Sequence, residues 1–284
     1  MSALEPLATL YASERGPAAP LPAELTALYG RLDFAPHAGR PYVIGNFVSS
    51  LDGVVALNIP GVRSGGGEIS GFNEHDRMVM GLLRAIAGAV VVGAGTLRSV
   101  PNHRWTANYI YPSLAQAYQR LRADLGLTEP PLTVIVSARG EVDLSWPVFQ
   151  SGETPTLLVT TRAGANRLDG QALPPPTRLS VVEDADRVSA AAVLEAISRE
   201  RACDIILTEG GPLLMSDFFA EHLLDELFLT LAPQVAGRVP AIPRPGFVDG
   251  MLFAPDQPIW GTLVDIRRGG SHLFLRYAFE AARR

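Results

Sequence analysis

CDIILTEGGPLLMSDFF, Cys203 to Phe219, combines a strand, a glycine turn and a helix start. Ile205, Ile206 and Leu207 form the short apolar run of a parallel strand covered on both faces. Gly210 and Gly211 let the backbone turn tightly and let a ligand approach it closely. Pro212 suits the first helical position, where no backbone N–H is needed. Leu214, Met215, Phe218 and Phe219 can then pack back on the sheet. A helix that opens straight after a glycine turn presents free N–H groups and a partial positive charge to an anion. A pyrophosphate is the natural guest, with Glu209 beside it at the strand end. A plain strand–turn–helix connection would use the same residues, so this stretch alone leaves both readings open.

AVVVGAGTLR, Ala89 to Arg98, repeats the design. Gly93 and Gly95 match the first two glycines of a dinucleotide fingerprint, but Arg98 stands where the third is required. A standard Rossmann site is rejected. Two glycine-turned strand ends, Gly93–Thr96 and Gly210–Leu214, instead suggest a dinucleotide held from both sides. A third strand ends VIVSAR at Ser137 and Arg139, with no acidic residue to select a ribose 2′-hydroxyl. Ser137 can donate to a 2′-phosphate, and Arg139 and Arg98 can add charge-assisted contacts. Alternatively, both arginines are solvated surface charges.

The rest of the chain sets the fold class. PYVIGNFVSSLDGVVAL, Pro41 to Leu57, gives a strand that ends in a Ser-Leu-Asp-Gly turn. VRSGGGEISGF, Val62 to Phe72, is a glycine-rich loop, either a mobile surface loop or an active-site lid. Asn73 caps a helix with Glu74 and Asp76 favourable in its first turn. Val79, Leu82, Leu83 and Ile86 form its core stripe. Arg84 lies off that stripe, either as a solvated charge or as a ligand for an anion. Strands then alternate with helices, and Gly261 to Phe279 closes as an antiparallel hairpin. The expected architecture is one α/β domain with a mainly parallel sheet. Residues 1–40, rich in Ala, Pro and Leu, read as an N-terminal extension with one helix at Ala23 to Leu32.

Composition narrows the function. The 284 residues carry a net charge of −5, with 47% hydrophobic and 19% charged residues. That balance excludes a basic nucleic-acid footprint. The absence of a long uncharged apolar run argues against a membrane span, and the N-terminus does not read as a secretory signal. A cytoplasmic location fits. Cys203 is the only cysteine and the five histidines are scattered, so no metal site is expected. Without a reactive group of its own, such a chain relies on a bound cofactor, and the glycine turns suit a nicotinamide dinucleotide.

SLDG (Ser50–Gly53), LLRA (Leu82–Ala85), VVGAGT (Val91–Thr96), VIVSAR (Val134–Arg139) and TEGGPLL (Thr208–Leu214) carry a resemblance. In this order, and followed by LLDELFLTLAPQVAG, they resemble the reductase domain of the bacterial bifunctional riboflavin-biosynthesis deaminase-reductase. That domain is dihydrofolate-reductase-like. The likeness covers about residues 41 to 280, which places the domain at 41–284. The zinc signature of the deaminase half is absent. The resemblance implies a homodimeric NADPH-dependent reductase. Its substrate would be 5-amino-6-(5-phosphoribosylamino)uracil, whose ribosyl group becomes ribityl. It further implies cofactor contacts at Ser49, Thr96, Ser137 and the run from Gly211 through Pro212, Leu213 and Leu214 to Asp217. Substrate contacts fall at Arg84, on the phosphate, and at Glu209. Asp52 is placed near the substrate entrance, and Glu209 and Asp52 are the expected catalytic groups. The family's Asp-Asp-Pro-x-Leu-Thr-Arg run is replaced here by Leu97 to Arg104, so Arg104 is the candidate second phosphate ligand. The alternatives are a reductase of a pterin such as dihydrofolate and a non-catalytic NADPH-binding protein.

Overall fold

A computed structural model describes residues 4–59, 65–182 and 186–279. The strands are β1 (Ala8–Ala12), β2 (Tyr42–Ser49), β3 (Ala89–Gly93), β4 (Leu132–Val136), β5 (Thr156–Thr161), β6 (Thr177–Val182), β7 (Ile205–Thr208), β8 (Glu226–Leu231), β9 (Thr262–Gly269) and β10 (His272–Ala278). The helices are α1 (Ala23–Tyr29), α2 (Gly67–Ser70), α3 (Glu74–Ile86), α4 (Ala94–Ser99), α5 (Ala107–Ile110), α6 (Ala115–Asp124), α7 (Pro147–Gln150), α8 (Arg162–Leu168), α9 (Ala190–Glu200) and α10 (Pro212–Ala220).

One sheet takes all the strands in the order β1-β9-β10-β8-β2-β7-β3-β4-β5-β6. From β8 to β6 every pairing is parallel, and β10, β9 and β1 extend the sheet antiparallel. The expected mainly parallel sheet with a C-terminal antiparallel hairpin is therefore present. The strand interiors are apolar because both faces are covered. Val90 and Val92 join the core that holds α3 and α6, whereas Ala89 and Val91 join the core that holds α9 and α10. Among the described residues, no helix is long and apolar enough to cross a membrane.

The first 40 residues add more than the expected helix. Besides α1 they contribute β1, which pairs antiparallel with β9. The sequence signal for this strand is weak: ATLYA is short and exposed at every position. Two buried arginines of the sheet, Arg267 and Arg276, hold this N-terminal segment. Arg267 donates to the carbonyls of Tyr29 and Arg31 and to Thr9 Oγ1, is ion-paired to Asp265 at 2.7 Å, and lies over the Tyr29 ring. Arg276 donates to the Asp33 carbonyl and to Glu226, and it stacks between the rings of Phe34 and Phe228. Glu226 is fully buried, and Tyr42 also donates to it at 2.7 Å.

Removing one member of a buried pair leaves the other charge without compensation, at a cost of about 3–5 kcal/mol. Arg276→Ala is therefore expected to lose about that much stability in denaturant unfolding. It should also expose the segment before Asp33 to proteases. A variant within about 1 kcal/mol of the parent would show that this network does not hold the segment down.

Candidate active site

The C-terminal ends of β2, β7, β3 and β4 lie side by side, because these strands are neighbours in that order. This brings Ser49, Glu209, Gly93 and Ser137 to one edge of the sheet. Ser49 and Ser137 are each 5% exposed. The Ser49 hydroxyl donates to the Ser50 carbonyl, and the Ser137 carbonyl accepts from Thr160 Oγ1 at 2.6 Å.

The two glycine turns face each other. A Cβ placed on Gly93 would have Gly211 N as its nearest neighbour, at 3.8 Å. On Gly211 it would meet Thr96 Oγ1 at 3.4 Å, and on Gly95 only Arg98 Nη2 at 4.0 Å. Gly93 and Gly211 have φ of −83° and −69°, which any residue adopts. Neither packing nor backbone conformation thus demands glycine at these positions, since a Cβ there would make no contact closer than 3.4 Å. Gly210 differs, since a Cβ there would collide with Leu214 at 2.5 Å. Pro212 opens α10 without an N–H, and the N–H groups of Gly211, Leu213 and Leu214 find no backbone acceptor among the described residues. Leu213 is 65% exposed at the rim. The cradle has the shape and the donors for a pyrophosphate.

On the rim of the cradle, Arg139 lies 3.4 Å from Glu141, which also pairs with Arg167. Arg98 donates to the Glu141 carbonyl. Two guanidinium groups thus share the Glu141 carboxylate, and a third holds its backbone carbonyl.

Below the cradle, α3 sends Arg84 up along the sheet face. Arg84 is 1% exposed and therefore not a solvated charge. Its Nε and Nη2 grip both oxygens of Glu209 at 3.0 and 2.6 Å. Nη2 also reaches His103 Nε2 at 3.0 Å, and Nη1 donates to the carbonyls of Arg104 and Thr106. All five N–H donors are used. The phosphate contact implied for Arg84 therefore has no donor left to make it, and Glu209 is committed to a structural partner. Burial pushes the His103 imidazole down to about 2, with the neighbouring Arg84 charge adding to the effect. The ring is neutral and accepts from Arg84, and Trp105 and Tyr109 pack edge-on against it.

Arg104, the candidate second ligand of the substrate phosphate, pairs with Glu153, in the connection entering β5, and stacks over Tyr109. Asp52 also has structural partners. It accepts from the Ser50 hydroxyl at 2.6 Å and from the backbone N–H groups of Ala236 and Gly237. These bonds, the Ser50 hydroxyl first, hold its carboxyl well below the usual carboxylate range. Asp52 clamps the Ser-Leu-Asp-Gly turn to the loop after β8.

The glycine-rich loop is described from residue 65 onward; its residues 62–64 lie outside the described residues. Gly66 sits over Val48, and Gly65 approaches Val100. The segment forms α2, which lies against Val48 of β2. Sequence reasoning missed His103, which looked like one of five scattered histidines. It also read Asp76 only as a helix-dipole charge. Asp76 is 5% exposed, beneath α2.

Comparison with known proteins agrees with this architecture. A family model described as the RibD C-terminal domain matches residues 41–256. Riboflavin biosynthesis protein RibD of Chlamydia trachomatis is 30% identical over 201 residues, covering 70% of this chain and 48% of that protein. The chain thus spans about half the length of the curated relatives it matches. A pyrimidine reductase-like protein of Corynebacterium diphtheriae has a TM-score of 0.66 at 21% identity, covering 84% of this chain and 92% of its own. The deaminase/5-amino-6-(5-phosphoribosylamino)uracil reductase of Thermotoga maritima has a TM-score of 0.62 at 22% identity, covering 85% of this chain and 57% of its own. These structural likenesses establish the shared α/β fold.

His103 generates a pH prediction. Its folded-state value is far below the ordinary value near 6.5, so below that pH the unfolded chain binds a proton that the folded chain refuses. Stability should therefore fall as pH drops below about 6.5, with this one group contributing a slope of up to about 1.4 kcal/mol per pH unit. His103→Gln should flatten that part of the stability profile in denaturant titrations. An unchanged slope would place His103 outside the buried cluster.

Proposed function

The chain belongs to the RibD C-terminal domain family, and on that premise we propose that it is an NADPH-dependent pyrimidine reductase. The proposed substrate is 5-amino-6-(5-phosphoribosylamino)uracil, the compound that the Thermotoga protein's name specifies. When bound, the reduced nicotinamide supplies a hydride to the ribosyl C1′. The observation that carries this reading is the open cradle at Gly93, Gly95 and Gly211, where the fold does not require glycine but a closely approaching ligand does. In this reading the cradle and the first N–H groups of α10 hold the pyrophosphate. Ser49, Thr96 and Ser137 line the dinucleotide, and Arg139 and Arg98 favour the 2′-phosphate. Arg84 and Glu209 form the rigid floor of the substrate chamber, and Asp52 holds its entrance. A homodimer in the cytoplasm completes the proposal.

A second reading, reduction of a pterin such as dihydrofolate, is favoured by one observation. Arg84 has no free donor and Arg104 is paired with Glu153, so both expected phosphate ligands already have protein partners. The same observation keeps a non-catalytic NADPH-binding role in play.

Loss of NADPH absorbance with each candidate substrate separates the three. Rapid turnover is expected with the phosphoribosylamino-uracil and not with dihydrofolate; the reverse would favour the pterin reading, and NADPH binding without turnover the non-catalytic one. Gly211→Ala adds a Cβ in ordinary contact with Thr96, so its thermal stability should match the parent. By calorimetry its NADPH affinity should drop tenfold or more, equivalent to about 1.4 kcal/mol. Unchanged affinity in this variant would remove the cradle from the cofactor site.

A further inference from the structure

Gly71, Phe72 and Asn73 join α2 to α3, and two of the three hold left-handed backbone, with φ of 63° at Gly71 and 55° at Phe72. Glycine adopts that region freely, but a bulky aromatic residue there is strained. Phe72 is also 64% exposed, so burial does not explain the turn. One side chain from the far end of the chain reaches both sides of it. His272, the first residue of β10, places Nε2 2.9 Å from the Ser70 carbonyl at the end of α2. Its Nδ1 lies 3.1 Å from Nδ2 of Asn73, the cap of α3. Asn73 Oδ1 already accepts the Asp76 N–H at 3.1 Å, so its amide can present only N–H to the ring. Nδ1 must then accept. The ring is therefore neutral in this arrangement, and its one proton sits on Nε2 and is donated to the Ser70 carbonyl.

A second proton on this ring goes to Nδ1, where it meets the Asn73 N–H donor head-on. Asn73 cannot turn its amide over without giving up the cap of α3. One of the two hydrogen bonds must break either way. We propose that His272 is a pH-sensitive clasp, holding the strained 71–73 turn and the end of α2 in place when neutral and releasing them in acid. Histidine is the side chain whose ordinary charge change falls at about pH 5–8. The charged and titratable groups around it have other partners or favour the release. On α3, Asp76 acts on the ring as a negative charge when ionised and so favours uptake of the proton. His75, also on α3, faces Gly269, the β9 partner of His272. Its Nε2 donates to the Glu5 carbonyl at 2.8 Å, a bond that either protonation state keeps. On α2, Glu68 accepts from the Gly65 N–H at 3.0 Å. On β9, Arg267 is paired with Asp265, and β8 adds no titratable residue at this end. The clasp bears on the candidate site through α2. Gly66 sits against Val48, the residue before Ser49, and the Glu68 carbonyl accepts from Gln234 Nε2 at 3.1 Å, in the loop after β8. The inference stands apart from the reductase reading, because neither cofactor nor substrate enters it.

The test uses nitrogen NMR and amide hydrogen exchange on the full chain, at about pH 8 and about pH 5.5, either side of the ordinary histidine range. At the higher pH the His272 ring should be neutral with its proton on Nε2. Two amides report the clasp: Phe72, which donates to the Gly67 carbonyl at 2.8 Å, and Asp76, which donates to the Asn73 cap. After correction for the intrinsic effect of pH on exchange, their protection should fall about tenfold in acid, the effect of losing one hydrogen bond of this kind. His272→Gln carries a donor and an acceptor but cannot take up a proton, so these amides should be equally protected at both pH values. His75→Gln and His103→Gln should keep the parent's response, which separates the clasp from the other two histidines. A His272 proton on Nδ1 at the higher pH would overturn the assignment. So would unchanged protection of Phe72 and Asp76 in the parent, or a pH response that survives in His272→Gln. The parent's tautomer and exchange decide the matter even if a variant fails to fold.

Discussion

The bidentate grip of Arg84 on Glu209 is the contact on which the site edge depends. It runs from the last turn of α3 to the residue that follows β7, crossing the layer between helix and sheet. Because the guanidinium also satisfies His103 and two carbonyls of the 104–106 segment, one side chain fixes three elements. Such a pair contributes little net stability over an apolar core, but it is costly to break, and its geometry is rigid. Gly210 and Gly211 follow Glu209 directly. The position of the two glycines is therefore set from beneath by an ion pair.

The glycines divide by physical role. Gly210 is required by the fold because Leu214 occupies the space of a Cβ. Gly140 and Gly164 back onto each other so closely that any side chain would displace backbone. At Gly93, Gly95 and Gly211 a Cβ would make only ordinary contacts. Only this last group points beyond the protein to something that must come close to the main chain.

Much of this was legible in the chain. The apolar runs at Ile205–Leu207 and Ala89–Val92 are long enough for strands, too short for helices, and followed by glycine, so the parallel strands and the turns at their ends could be anticipated. The role of Arg84 was not legible, because helical spacing shows only which residues leave the core stripe. Whether such a residue meets water or a buried carboxylate depends on a partner 125 residues away. Asp76 has the same difficulty: a carboxylate in a first helical turn normally faces solvent, and only α2 above it makes it buried. The strand ATLYA was overlooked because an exposed edge strand has no apolar pattern to betray it.

The pairing of β1 with β9 ties Ala8 to Arg268, almost the whole chain apart. A ribosome adds about 5–20 residues per second, so the first strand leaves the tunnel roughly ten to fifty seconds before its partner exists. Throughout that interval residues 8–34 lack the two arginines that anchor them, while the parallel strands can already assemble around β2 and β3. The sheet therefore grows from its middle, and its earliest-made strand is among the last to be seated. Synthesis order and assembly order run opposite to each other at this end of the molecule. Any factor that shields a nascent chain has its longest task at the N-terminus.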